Sequence, residues 1–221
     1  KGYWNDGAPS HVSTFRLGMA NSIGGLAVAM LSPLLGAIAD QAGRRKALLV
    51  QLTAIGVFAT ASLYAVPAHG WVLASVLYVI ASIGFATSNS LYDSLLLSVA
   101  APGNYDRISA FGYGLGYLGS ALLFTVNVLA VVRPGWFGFS EPQEAMRSAC
   151  IVVAIWWAVF TLPLVFWVRE TREGDRRSSP SWLAGFGQLG RTLRNLRSRR
   201  NLCLFLAAYW LYIDGVYTII N

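Results

Sequence analysis

Gly36-Ala37-Ile38-Ala39-Asp40-Gln41-Ala42-Gly43-Arg44-Arg45-Lys46 closes the first long apolar run of the chain, and its reading decides the fold. An apolar helix stops there on a carboxylate, a glycine and three consecutive cations. A small residue one helical turn before an acid, a Gly able to take a left-handed turn and a basic cluster kept out of hydrocarbon make a tight hairpin between two membrane helices.

Composition agrees with that hairpin. The chain has 221 residues, of which 55% are hydrophobic and 12% charged, with mean hydropathy +0.51. A soluble domain carries about 25% charge, so long uncharged runs at half that level indicate a membrane protein. The formal net charge of +7 does not indicate nucleic-acid binding, because the cations sit between apolar segments and not over a polar surface. Cys150 and Cys203 have no metal-ligand spacing and read as small buried hydrophobes. The chain opens on Lys1 and stops at Asn221 inside an apolar run, and is expected to be a piece of a longer protein.

Six spans are expected. Residues 1–14 read as a polar loop with a solvated His11, and a first span follows over 15–39, with Arg16 snorkelling at its entrance. At about 1.5 Å per residue, that length crosses a hydrocarbon core of about 30 Å. Further spans are expected over 47–66, 71–100, 109–132 and 146–168, and an interrupted one from Leu202 onward. Counting cations on alternate loops places Arg44, Arg45, Lys46, Arg107 and the nine arginines of 169–200 on one side, which is 13 of the 17 Lys and Arg. By the positive-inside rule, residues 40–46, 101–108 and 169–200 are cytoplasmic.

The organisation is then a transmembrane bundle over 1–168, a basic central loop over 169–200 and the start of a second bundle over 201–221. In the central loop Trp182, Phe186, Leu189, Leu193 and Leu196 recur at helical spacing with arginines on the other faces. This predicts an amphipathic helix lying on anionic lipid; a solvated linker helix, or one packed on the protein's own cytoplasmic face, is the alternative.

Gly114-Leu115-Gly116-Tyr117-Leu118-Gly119 spells a dinucleotide fingerprint, but no strand precedes it and it lies within a membrane span. At helical spacing the same stretch puts Gly112, Gly116 and Ser120 on one face as a small-residue packing seam. Two acids lie within spans, where ionisable groups mark functional sites by default. Asp214, about 18 Å along the last span, has Tyr209, Tyr212 and a loosening Gly215 around it and is a candidate for substrate or coupling-ion binding. Its alternative is a structural pairing with a cation elsewhere. Asp93, about 33 Å from the interfacial anchor Trp71, pairs with Arg107 or the Arg44 cluster, or else joins Asn89 in an inner vestibule. No nucleophile with a base, no metal-ligating cluster and no phosphate loop argues for catalysis, a metal or a cofactor.

A Gly, an Asp four residues later and Gly-Arg-Arg three residues beyond, in a cytoplasmic turn, resembles the loop between helices two and three of the major facilitator superfamily. Gln41 departs from it, since that family has Arg or Lys there. Asp106-Arg107-Ile108-Ser109-Ala110-Phe111-Gly112-Tyr113-Gly114-Leu115-Gly116-Tyr117-Leu118-Gly119 and Tyr209-Trp210-Leu211-Tyr212-Ile213-Asp214-Gly215-Val216-Tyr217-Thr218-Ile219-Ile220 are similar to segments of its vacuole-effluxer-like branch, which includes fungal vacuolar amino-acid effluxers and bacterial relatives. The resemblance implies an all-α, major-facilitator-type bundle whose first span here corresponds to the family's second helix, with the family's first helix lying outside the chain. It implies alternating-access transport of a small, amino-acid-like solute, with a proton or other ion as coupling partner. It also implies a conformational latch over Gly36, Asp40, Gly43, Arg44 and Arg45. A monomer in a bacterial inner membrane is expected over a vacuolar protein. A non-transporting membrane scaffold or binding protein, or a lipid-moving protein of the same fold, is the competing reading.

Overall fold

A computed structural model of the chain describes residues 3–5, 7–42, 45–99, 103–168, 190, 194 and 200–220. Among these the regular structure is all helical: α1 Ser10–Ala42, α2 Arg45–Ser62, α3 Trp71–Val99, α4 Tyr105–Val132, α5 Pro142–Trp167 and α6 Arg200–Ile220. Single 3₁₀ turns occupy Leu63–Ala65 and Pro134–Phe137. By length and composition α1 to α5 can each cross a membrane, and α6 carries a shorter apolar stretch at Asn201–Ile213. The chain is a polytopic helical membrane protein.

Helices start earlier than hydropathy predicts, because a helix does not end where its apolar stretch ends. α1 begins at Ser10, so His11 lies exposed on a helical turn and not in a loop. The Val12 and Ser13 amides bond to the Pro9 carbonyl at 3.0 and 3.2 Å, which satisfies donors otherwise orphaned at a helix start. α5 begins at Pro142, where a missing N–H costs nothing. α6, expected to be interrupted, runs continuously through Gly215. The central-loop helix predicted from Trp182 to Leu196 falls outside the described residues, apart from helical Gly190 and Arg194.

Two small cores sit at opposite ends of the bundle. Under the hairpin, Ala39 of α1, Leu49 of α2 and Leu91 and Leu95 of α3 are buried together, with Leu164 of α5 packed against them. At the other end Leu63, Val66 and Ala74 are buried with Trp4 and Cys150 packed beside them. Between the two, α2 and α3 meet backbone to backbone: a Cβ on Gly84 would sit 2.9 Å from the Leu52 carbonyl oxygen and 3.0 Å from the Gly56 Cα. A Cβ on Gly56 would run into the Trp157 ring of α5. These two glycines let three helices approach closely.

Polar clasps tie the ends. Lys46, on the first turn of α2, donates from Nζ to the carbonyls of Val165 and Val168 at 2.7 and 2.6 Å, and so caps the C-terminus of α5. At the opposite end Arg147 of α5 donates to the Tyr64 carbonyl at 2.7 Å and stacks over the rings of Tyr3 and Tyr64 at 4.7 and 5.1 Å. Arg16, expected to snorkel at the entrance of the first span, reaches back to the turn ahead of α1: it donates to Asn5 Oδ1 at 2.9 Å and lies 4.1 Å over the Trp71 ring. α4 is sparsely covered, with Ala130 its one buried residue among those described.

Candidate functional site

The site is built where the end of α3 meets the start of α4. On α3, Phe85, Ser88, Asn89 and Tyr92 follow one another at helical i, i+3, i+4, i+7 spacing and line a cavity of about 120 Å³ against α2 and α5. Asp93, one residue further round the helix, faces α4 instead. There the Tyr113 hydroxyl donates a long hydrogen bond of 3.4 Å to Asp93 Oδ1. Tyr117 lies one turn beyond Tyr113 on α4.

Depth supports the grouping. Asp93 lies six residues before the last residue of α3, about 9 Å at 1.5 Å per residue. Tyr113 and Tyr209 lie eight and nine residues into α4 and α6, about 12–14 Å along them on the same scale. α3 and α4 therefore bring a carboxylate and a phenol to a similar level inside their apolar spans. An Asp93–Arg107 ion pair is not formed among the described residues, because Arg107 lies on the first turn of α4, six residues before Tyr113.

Chemically this is an exposed carboxylate partnered by a single neutral phenol among the described residues, with further aromatic hydroxyls close by. A carboxylate offers acceptor lone pairs and a negative charge, and phenol rings offer negatively polarised faces. The set suits an ammonium group or a proton, and it lacks metal-ligand character: no group of three or more His, Cys, Asp or Glu side chains gathers among the described residues.

Of the residues expected from sequence, Asp93 faces α4, where it meets Tyr113, and Tyr209 is exposed on α6. Asn89 lies on a different face of α3, in the cavity against α5. Tyr212 is exposed three residues beyond Tyr209. Asp214 is placed in the backbone of α6, about 21 Å from its start; its side chain lies outside the described residues. Tyr113 and Tyr117 were missed as site residues, although two tyrosines four apart in a glycine-rich span were a readable signal.

In the hairpin, Asp40 lies within α1 directly after Ala39, which is 1% exposed. Gly36 is half-buried and a Cβ there would meet nothing within 4 Å, while Arg45 opens α2. Gly43, Arg44 and the side chain of Asp40 lie outside the described residues. The seam glycines Gly112 and Gly116 also meet no atom within 4 Å of a built Cβ, and Ser120 is exposed, so that face is uncovered among the described residues. The close approach is made instead by Gly56 and Gly84.

A five-span helical bundle with a basic hairpin after its first described helix, followed by a further apolar helix, is a partial membrane bundle of the major facilitator type. Residues 7–221 match the family described as Vacuole effluxer Atg22 like, and the chain belongs to that family. It is 34% identical over 216 residues to a Bacillus subtilis protein named as an uncharacterized MFS-type transporter, YxiO, covering 97% of this chain and 50% of that relative. It is 32% and 34% identical over 123 and 125 residues to autophagy-related protein 22-1 of Emericella nidulans and of Penicillium rubens, covering 51% of this chain and 20% of each relative. The chain thus spans about half the length of the bacterial relative and about a fifth of the fungal ones. No solved structure matches it.

Proposed function

We propose that the chain is part of a secondary transporter that moves a small, amino-acid-like solute across a membrane by alternating access. The observation that carries this reading is the intramembrane carboxylate of Asp93 beside the Tyr113 hydroxyl. An ionisable residue at that depth is costly unless it serves a pathway, and this one has an acceptor ready for a substrate ammonium or a coupling proton. Asp214, deeper along α6, is the second acid on the same route.

The hairpin is the gate in this reading, with Asp40 as latch acid and Arg44 and Arg45 as its candidate partners. Residues 40–46, 101–108 and 169–200 face the cytoplasm, and the arginines of the central loop meet anionic lipid. A bacterial inner membrane and a monomer are the setting we favour; near full-length coverage of this chain by the Bacillus relative supports the former.

The test is counterflow of radiolabelled amino acids by the complete protein in proteoliposomes. Transport is expected for the intact protein, with at least a tenfold loss in Asp93→Asn and in Asp214→Asn. Absence of counterflow for every amino acid would overturn the functional reading. Full transport by either variant would remove that residue from the pathway.

A further inference from the structure

A second cavity, of about 210 Å³, lies at the opposite end of the bundle from the hairpin, between the N-terminal turn, α1 and α3. Its one ionisable wall residue with full charge at neutral pH is Arg16. One guanidinium N–H is given to Asn5 Oδ1 at 2.9 Å, and the plane lies 4.1 Å over Trp71. The remaining donors have no acceptor among the described residues. The group is therefore held in orientation from two sides, with no counter-charge among the described residues.

The rest of the wall is rich in donors and poor in acceptors. The Trp4 indole forms part of it, and its Nε1–H is buried without a hydrogen-bond partner. Ser13, 3% exposed, adds a hydroxyl, and Ser75 a second. The Tyr78 hydroxyl is committed elsewhere, to Asn21 Oδ1 at 2.6 Å. Among the described residues no carboxylate lines the cavity, and Leu17, Leu63 and the Trp71 ring close it with apolar surface. A half-buried cation without a counter-charge and a buried indole N–H without an acceptor both carry a desolvation cost that a bound anion offsets.

From this we infer that the Arg16 cavity is a binding site, separate from the Asp93 region, for a small oxyanion carried on an apolar body. A guanidinium matches carboxylate and phosphate oxygens in its fork geometry, and the aromatic wall takes the apolar part. Such an oxyanion comes either from a free solute or from an anionic lipid headgroup at the membrane interface. The site does not depend on the transport reading, because none of its wall residues belongs to the Asp93 neighbourhood.

The test uses the complete protein in phosphatidylcholine nanodiscs, titrated calorimetrically with sodium benzoate and with neutral benzamide. Saturable benzoate binding and no benzamide binding are expected. Arg16→Gln should weaken benzoate at least tenfold, while Arg133→Gln, which removes an exposed cation 5.8 Å over Trp136 in another loop, should leave it unchanged. Should Arg16→Gln fail to fold, Trp4→Phe and Ser13→Ala decide; each removes a single donor, and at least a threefold weakening in one of them is required. Nanodiscs containing phosphatidylglycerol then separate the sources: competition with benzoate assigns the site to the headgroup, and an unchanged Kd assigns it to a free solute. No saturable binding in phosphatidylcholine, equal binding of benzamide, or an unchanged affinity in the deciding variants overturns the inference.

Discussion

Replacing Gly84 with Ala tests the close approach on which the bundle is built. The added Cβ would lie 2.9 Å from the Leu52 carbonyl oxygen, 3.0 Å from the Gly56 Cα and 3.1 Å from the Gly56 nitrogen. Comfortable carbon contacts are about 3.5–4.0 Å, so relief needs a shift of roughly 0.5 Å between α2 and α3. All three obstructing atoms are backbone, and no rotamer change moves them. Overpacking of this kind costs about 1–3 kcal/mol, and Ala recovers up to about 1 kcal/mol over Gly in helix propensity. The net expectation is a destabilisation of about 1–2 kcal/mol, or a melting temperature lower by roughly 2–8 °C for a chain of this size. Gly112→Ala is the matched control, since a Cβ there meets nothing within 4 Å. The assay is thermal unfolding of the complete protein in detergent, read by loss of the monodisperse peak on size exclusion. Gly56→Ala adds a second arm: its obstruction is the Trp157 side chain, so Trp157→Phe should partly rescue it and should not rescue Gly84→Ala. Equal melting of Gly84→Ala and Gly112→Ala would refute the reasoning.

Three further outcomes are expected. Lys46→Met removes two charge-assisted bonds to the end of α5, each of a type worth about 1.5–3 kcal/mol, and should raise amide exchange over residues 164–168 while leaving exchange at the start of α5 unchanged. Arg147→Lys keeps the charge but loses the planar stack on Tyr3 and Tyr64; it should destabilise the complete protein by about 1–2 kcal/mol and speed proteolysis within residues 1–9. Asp40→Ala should shift the transporter toward its inward-open form, measured as increased labelling of cytoplasmic-side cysteine probes, and unchanged labelling would remove Asp40 from the latch.

Hydropathy made the spans legible because each helix must satisfy its own backbone in lipid, so that an apolar run of sufficient length has one available structure. The same physics hides helix ends: Ser10, His11 and Thr14 at the head of α1 are polar yet helical, because they lie beyond the hydrocarbon where propensity and the Pro9 carbonyl decide. Asp93 was legible as an intramembrane acid, but its partner was not. Nearest-cation reasoning favours Arg107, whereas the crossing of α3 and α4 puts Tyr113 opposite it, and a crossing angle is not written in either helix alone. The packing seam shows the same limit. Gly112, Gly116 and Ser120 carry the small-residue spacing along one helix and lie uncovered among the described residues. Gly56 and Gly84, each isolated in its own span, make the contact because a seam between helices needs one small residue on each side.

The hairpin that identified the superfamily also shows how a gate at this end would transmit force. Its third cation is spent inside the bundle: Lys46 holds the last carbonyls of α5, the helix from which the basic central loop departs at residue 169. Beneath it Ala39, Leu49, Leu91 and Leu95 lock α1, α2 and α3 into one core with Leu164 of α5 against it. A pull on the hairpin is therefore shared at once by four helices and by the root of the central loop. Packed interfaces of this kind are bistable and resist continuous deformation, so movement at the latch favours rotation of the bundle as a body over bending of α1 by itself. α4, with its one buried residue among those described and Tyr113 beside Asp93, stands outside that shared core. The proposed site thus lies between a stiff four-helix unit and a helix that the core does not hold.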